Sequence, residues 1–264
     1  MISNVTLGQY FPGTSVIHRL DPRLKLVLTI AMIALIFFVH TFYGYLSIFV
    51  LFLLVTLLSG VSIKYVLKGI KPMRFVILLT TIMNVFFLKG ETLLFEWAFI
   101  HVYKEALIRA AELAIRLILL VLTSTLLTLT TSPKEITDAI ERLMKPLRKI
   151  KVPVHEIALM MSIALRFIPT LMEETDRIMK AQTARGASFD TGSFLSRAKD
   201  MIPVLVPLFV SAFKRAEELA LAMEARCYHG GENRTQLKVF KMQGRDYLAI
   251  LIFGLQVAAI AFGL

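Results

Sequence analysis

Apolar runs long enough to cross a bilayer limit the folds open to this chain more than any other feature. They lie at Leu24–Val39, Tyr43–Ser59, Met73–Leu88, Ala106–Thr130 and Tyr247–Leu264. A transmembrane helix needs about 20 mainly apolar residues, and shorter runs are accommodated when the bilayer thins or flanking side chains snorkel. In hydrocarbon each backbone N–H and C=O must find its partner within the segment, so such runs specify helices. Composition agrees: of 264 residues, 56% are hydrophobic and 19% charged, where soluble domains sit at about 45–50% and about a quarter. The sequence predicts an all-α integral membrane protein with about five transmembrane helices. Met1–Gly13 has neither the basic start nor the apolar core of a secretory signal, so the first run is expected to be retained as a span. The single cysteine, Cys227, excludes an internal disulfide framework and a cysteine-rich metal site.

Lysine and arginine set the orientation, because they accumulate in cytoplasmic flanks. Arg19, Arg23 and Lys25 precede or open the first run, and Lys64, Lys68, Lys71 and Arg74 lie between the second and third. The turn His40–Gly44 has no basic residue of either kind, and Lys89, Lys104 and Arg109 after the third run are offset by Glu91, Glu96 and Glu105. The N-terminus is therefore expected in the cytoplasm, together with the long segment Thr131–Asp246 that separates the last two spans. Three parts follow: a membrane domain of four spans over residues 1–130, a cytoplasmic helical domain over 131–246, and a C-terminal span over 247–264. Two apolar runs inside the middle part, Ile157–Met172 and Met201–Phe213, would keep this topology if both were spans. Arg166 and Pro169 interrupt the first, and Pro203 and Pro207 the second. An intramembrane arginine is costly, so both runs are expected as interfacial or protein-buried helices.

Three helices are predicted in the middle part. Ser132, Pro133 and Glu135 form a capping-box start, with Ile136, Ile140, Leu143, Met144 and Leu147 on one face and an end near Pro146. A second helix runs from about Pro153 toward Arg185, with Gly186 placed to terminate it. A third begins near Thr191 or Ser193 and runs to a terminator at Gly230–Gly231. Ala212, Ala216 and Ala220 recur every four residues along it, a small-residue stripe that lets helix backbones approach closely. The two long helices are expected to cross there, although ordinary core packing explains the stripe equally well.

Both long helices approach their ends on an arginine between small residues: Ala184-Arg185-Gly186 and Ala225-Arg226-Cys227. A cation at a helix C-terminus is stabilised by ~0.3–1 kcal/mol through the macrodipole, and many helices end this way for no other reason. The narrow bracketing favours a further role. It leaves each guanidinium on a sterically clear tip, and its rigid fork of donors holds a carboxylate or helix-end carbonyls in a way that lysine does not reproduce.

The chain resembles the transmembrane coupling subunits, or T components, of energy-coupling factor (ECF) transporters. The resemblance rests on "SVIHRLDPRLKL" at Ser15–Leu26, "LRFIPTLMEE" at Leu165–Glu174, the Ala184–Gly186 triplet and "PVLVPLFVSAFKRAEELALAMEARCY" at Pro203–Tyr228, in that order around the spans. It implies a multi-pass subunit of a prokaryotic cell membrane importer for vitamins or metal ions. Two ABC-type ATPases would each take one arginine tip in a groove, and a small membrane substrate-binding S component would be gripped by the same subunit. Docking would fall to Ala184, Arg185 and Gly186 and to Ala225, Arg226 and Cys227. Pro203, Pro207, Ala212, Ala216 and Ala220 would lie on the packing face of the coupling helices. Cys227 stands where the family has glycine, which leaves open whether the second helix ends at once. No role is implied for His18–Arg23 beyond a polar turn in which Asp21-Pro22 starts the first helix.

No phosphate-binding loop, dinucleotide fingerprint or paired Cys/His signature occurs in the sequence, so no cofactor is expected and ATP chemistry is left to partners. The formal charge of +11 is interleaved with acids beside the spans, which suits anionic lipid headgroups and not nucleic acid. A secondary transporter or channel working without an ATPase is the competing function. Its support is Arg109, Glu112 and Arg116 in or near the fourth span, where Glu112 and Arg116 are spaced to form an ion pair. An intramembrane transferase is disfavoured because Asp176, Asp190 and Asp200 are too scattered to hold metal and phosphate.

Overall fold

The computed structural model describes residues 10–90, 92–97, 100–187, 189, 193–230 and 242–262. Contacts divide the chain into two compact units, Gly8–Ala139 with Val239–Leu264, and a second built from Ile140–Lys238.

The first unit holds the apolar runs. Helix α1 covers Pro22–Phe38, with Pro22 at its first position and Asp21 as N-cap, its carboxylate accepting from the Arg23 N–H. That is a favourable start, since proline loses no needed donor there and aspartate satisfies an orphan one. After a short turn, α2 covers Phe42–Ser59 and ends on Gly60 in the left-handed conformation at φ 68°. Helix α3 (Ile63–Lys68) and α4 (Arg74–Phe87) follow. The connection after α4 was read only for its charges. It forms an antiparallel hairpin of β1 (Leu93–Trp97) and β2 (Ile100–Tyr103), the one departure from all-α structure among the described residues. Helix α5 (Lys104–Thr130) is the axis of the unit, packing against α1, α2, α3 and α4.

Two apolar clusters line that axis. Phe52, Val61, Val66, Leu122, Leu126 and Leu129 form one; Ile36, Val39, Tyr45, Ile48 and Leu119 form the other. Large side chains such as Phe38, Phe42, Phe75 and Phe87 point outward instead. Helices that are apolar on all sides, with their outer faces uncovered, are what a lipid environment selects.

The early part of α6 (Pro133–Leu143) belongs to this unit as well, so the first contact boundary falls inside α6, beyond the Thr130/Thr131 boundary drawn from hydropathy. The expected capping box is formed. The Ser132 N–H donates to Glu135 Oε2 and the Glu135 N–H to Ser132 Oγ, both at 3.3 Å. Pro146 lies in a short 3-10 turn, Lys145–Ile150, after α6 has ended. The last helix of the unit, numbered α9 in chain order, covers Gly244–Ala261 and starts on a capping box between Gln243 and Asp246.

The second unit contains α7 (Val154–Ala184) and α8 (Phe194–Ala225), which pack against each other. The prolines do not break them: α7 runs through Pro169, and α8 through Pro203 and Pro207. Each proline forfeits one backbone hydrogen bond, a cost that helices of 31 and 32 residues absorb when the remaining turns are intact. By length and composition α2, α5, α7 and α9 can each cross a membrane, while α1 and α4, expected as spans, have 17 and 14 residues.

Candidate functional site

The two arginine triplets end α7 and α8 in the same way. In α7, Arg185 is the C-cap, with φ −89° and ψ 6°, and Gly186 follows in the left-handed region at φ 93°. The Gly186 N–H donates to Thr183 C=O at 2.9 Å and the Ala187 N–H to Gln182 C=O at 3.0 Å. In α8, Arg226 is the C-cap, with φ −96° and ψ 16°, and Cys227 follows at φ 53°. The Cys227 N–H donates to Glu224 C=O at 2.8 Å and the Tyr228 N–H to Met223 C=O at 3.0 Å. This paired pattern is the Schellman motif, which satisfies the orphan carbonyls of a last helical turn.

The uncertainty attached to Cys227 is thereby resolved. The helix stops at Ala225, short of the expected Gly230–Gly231 terminator, because Cys227 takes the left-handed position that glycine normally fills. Ala184, Arg185, Gly186, Ala225, Arg226 and Cys227 are all exposed, and neither guanidinium has a hydrogen bond or ion pair among the described residues. Adding a Cβ to Gly186 would meet nothing within 4 Å, so the tip is open. Each end therefore offers one uncommitted guanidinium on a fixed backbone turn.

The packing face of α8 differs from the expected one. Ala212 is half-buried, whereas Ala216, Ala220, Pro203 and Pro207 are exposed. The covered line runs instead through Val204, Leu208, Ser211, Arg215 and Leu219. A strict four-residue stripe drifts about 40° around a helix at each step, so alanines aligned at one end leave the contact face by the other. A polar link that the sequence did not disclose joins the two helices: Arg215 Nη2 donates to Glu174 Oε2 at 2.9 Å.

The expected Glu112–Arg116 ion pair is not formed among the described residues. Arg116 turns to the corner between α1 and α2. Its Nη2 donates to Val39 C=O at 3.2 Å and to the Tyr45 hydroxyl at 2.9 Å, and its guanidinium lies 5.9 Å from the centre of the Phe37 ring. The Tyr45 hydroxyl in turn donates to the same carbonyl at 2.9 Å. A carbonyl left over at the end of a helix, on a residue only 1% exposed, is costly to leave unsatisfied, and the arginine answers that need. Arg109 is exposed. Among the described residues no group of three or more His, Cys, Asp or Glu is gathered as a metal site would require.

These features define a multi-pass helical membrane protein with two matched, exposed helix ends. A family model described as "Cobalt transport protein" (CbiQ) matches residues 13–237, which include both ends. The energy-coupling factor transporter transmembrane protein EcfT of Clostridium kluyveri is 53% identical over 95% of this chain and 93% of its own. Its counterpart in Ruminiclostridium cellulolyticum is 51% identical over 97% and 95%, and that of Bacillus subtilis 46% identical over 99% and 98%. The chain belongs to the family of transmembrane T components of energy-coupling factor transporters.

Proposed function

We propose that this chain couples two ABC-type ATPases to a membrane substrate-binding S component in an importer of vitamins or metal ions. In this reading Arg185 and Arg226 each enter a groove on one ATPase, and the small neighbours Ala184, Gly186, Ala225 and Cys227 let the groove close around them. Helices α7 and α8 lie on the cytoplasmic side of the membrane and carry the movement, with the N-terminus of the chain on the same side. The carrying observation is that one cap geometry occurs twice, each time with an exposed and unpartnered guanidinium. Helix capping alone accounts for a cation at either place; it does not account for leaving both forks free on matched turns.

The test is co-purification. The double variant Arg185→Glu/Arg226→Glu is expected to insert in the membrane normally and to retain neither ATPase; recovery of both with the variant would overturn the docking role. Arg185→Lys replaces a planar fork with a point charge. Loss of a charge-assisted bond of ~1.5–3 kcal/mol weakens binding roughly ten- to a hundredfold. Unchanged ATPase binding by that variant would show the fork to be immaterial.

A further inference from the structure

The stretch Ser15–Leu26, which lies apart in sequence from both arginine tips, is tied to two distant places in the chain. Lys25, only 6% exposed, donates from Nζ to Thr130 C=O at 3.0 Å and to His18 C=O at 3.1 Å. Thr130 is the last residue of α5, and its carbonyl has no partner within that helix. The Phe11 N–H takes the preceding carbonyl, Leu129 C=O, at 2.9 Å. The imidazole of His18 then lies 3.0 Å from Phe11 C=O and 2.8 Å from the Ser15 hydroxyl, which folds the stretch back on itself. At the other place, Asp246, 1% exposed, accepts from the Asp21 N–H through Oδ1 at 2.9 Å and from the Gln243 N–H through Oδ2 at 2.7 Å.

The end of α5 is where the chain leaves this unit through α6, and the start of α9 is where it returns. Helix termini are ordinarily the parts that open first. Here both are held to the start of α1 by buried charged groups, and such groups resist opening because a broken partner would leave a charge without compensation. We infer that Lys25 and Asp246 are positioning residues: they fix both ends of the segment containing α7 and α8, so that force on that segment moves it as a whole instead of being lost in slack at its attachments. This rests on the coupling role proposed above.

The experiment uses the full complex in vesicles, with hydrogen exchange by mass spectrometry, ATP hydrolysis, and ATP-dependent maleimide labelling of a single cysteine on the S component. Asp246→Ala is expected to speed exchange at the start of α9 at least tenfold and to reduce the ATP-dependent labelling change by a similar factor. Bound ATPases and their hydrolysis should stay within twofold of wild type. Asp246→Asn, which keeps an acceptor for the Asp21 N–H, should fall between. Lys25→Met should speed exchange at the end of α5 and not at the start of α9. An unaltered labelling change despite faster exchange would overturn the inference, as would hydrolysis, binding and labelling falling together, which marks a folding defect. A wild-type chain that binds no ATPase would instead sink the docking role, and this inference with it; failure of the inference alone appears only in the variants.

Discussion

Cys227 occupies a backbone position that most side chains avoid. At φ 53° it bears a left-handed penalty of ~1–2 kcal/mol that glycine escapes. Cys227→Gly removes the penalty and adds ~0.4–1 kcal/mol of freedom to the unfolded chain, so a net stabilisation of up to about 1.6 kcal/mol is expected. Gly186→Ala does the reverse on the matching turn, and since no neighbour lies within 4 Å of the added carbon the effect there belongs to the backbone alone. Thermal unfolding in detergent should move up for the first variant and down for the second; shifts of the same sign would contradict the shared geometry. Gly186 was legible as a terminator because glycine advertises the left-handed conformation. Cys227 carried no such signal, so the sequence placed the end of α8 too late. Arg116 failed for a related reason: its acceptors, Val39 C=O and the Tyr45 hydroxyl, lie more than seventy residues away, where local spacing gives no information.

Among the elements, the C-cap of α3, Gly69, lies tight against α5. A Cβ there would clash with Thr125 Oγ1 and lie 3.0 Å from Thr125 Cβ, and the latter cannot swing aside. Gly69→Ala is therefore expected to cost ~1–3 kcal/mol, the usual range for overpacking. Combining it with Thr125→Ala should recover part of the loss. Simple additivity of the two in a double-mutant cycle would mean that the contact is not made. Helices were the readable part of this molecule: apolar runs and the Ser132 capping box located α1, α2, α4, α5, α6 and α9 to within a few residues. Register was harder to read. The alanine series of α8 matched a plausible spacing and pointed to the wrong face, because periodicity gives the angle of a stripe only as well as its period is known. The hairpin β1–β2 was hidden by brevity: Phe95-Glu96-Trp97 and Ile100-His101-Val102 alternate, but strands of five and four residues give too short a pattern to stand out beside the apolar runs.

For the molecule as a whole, the distribution of lysine and arginine predicts the orientation, and the proposed coupling role requires that α7 and α8 lie inside the cell. A cysteine placed at Ser193 is expected to resist membrane-impermeant maleimide in intact cells and to react once the cells are opened; labelling from outside would reverse the topology. Composition and family membership were legible at this scale, since bilayer thickness imposes run lengths that no local context overrides. The attachment of α1 to α9 was not, because Asp21 and Asp246 lie 225 residues apart and neither looks unusual where it stands. The paired caps have one more consequence. Since α7 and α8 close on the same cap turn, two copies of a single kind of engine docking as proposed would meet equivalent backbone at both tips. Any preference for one occupant over the other has to be written in the side chains that differ around the arginines: Thr183 against Glu224, Gly186 against Cys227, and Ala187 against Tyr228.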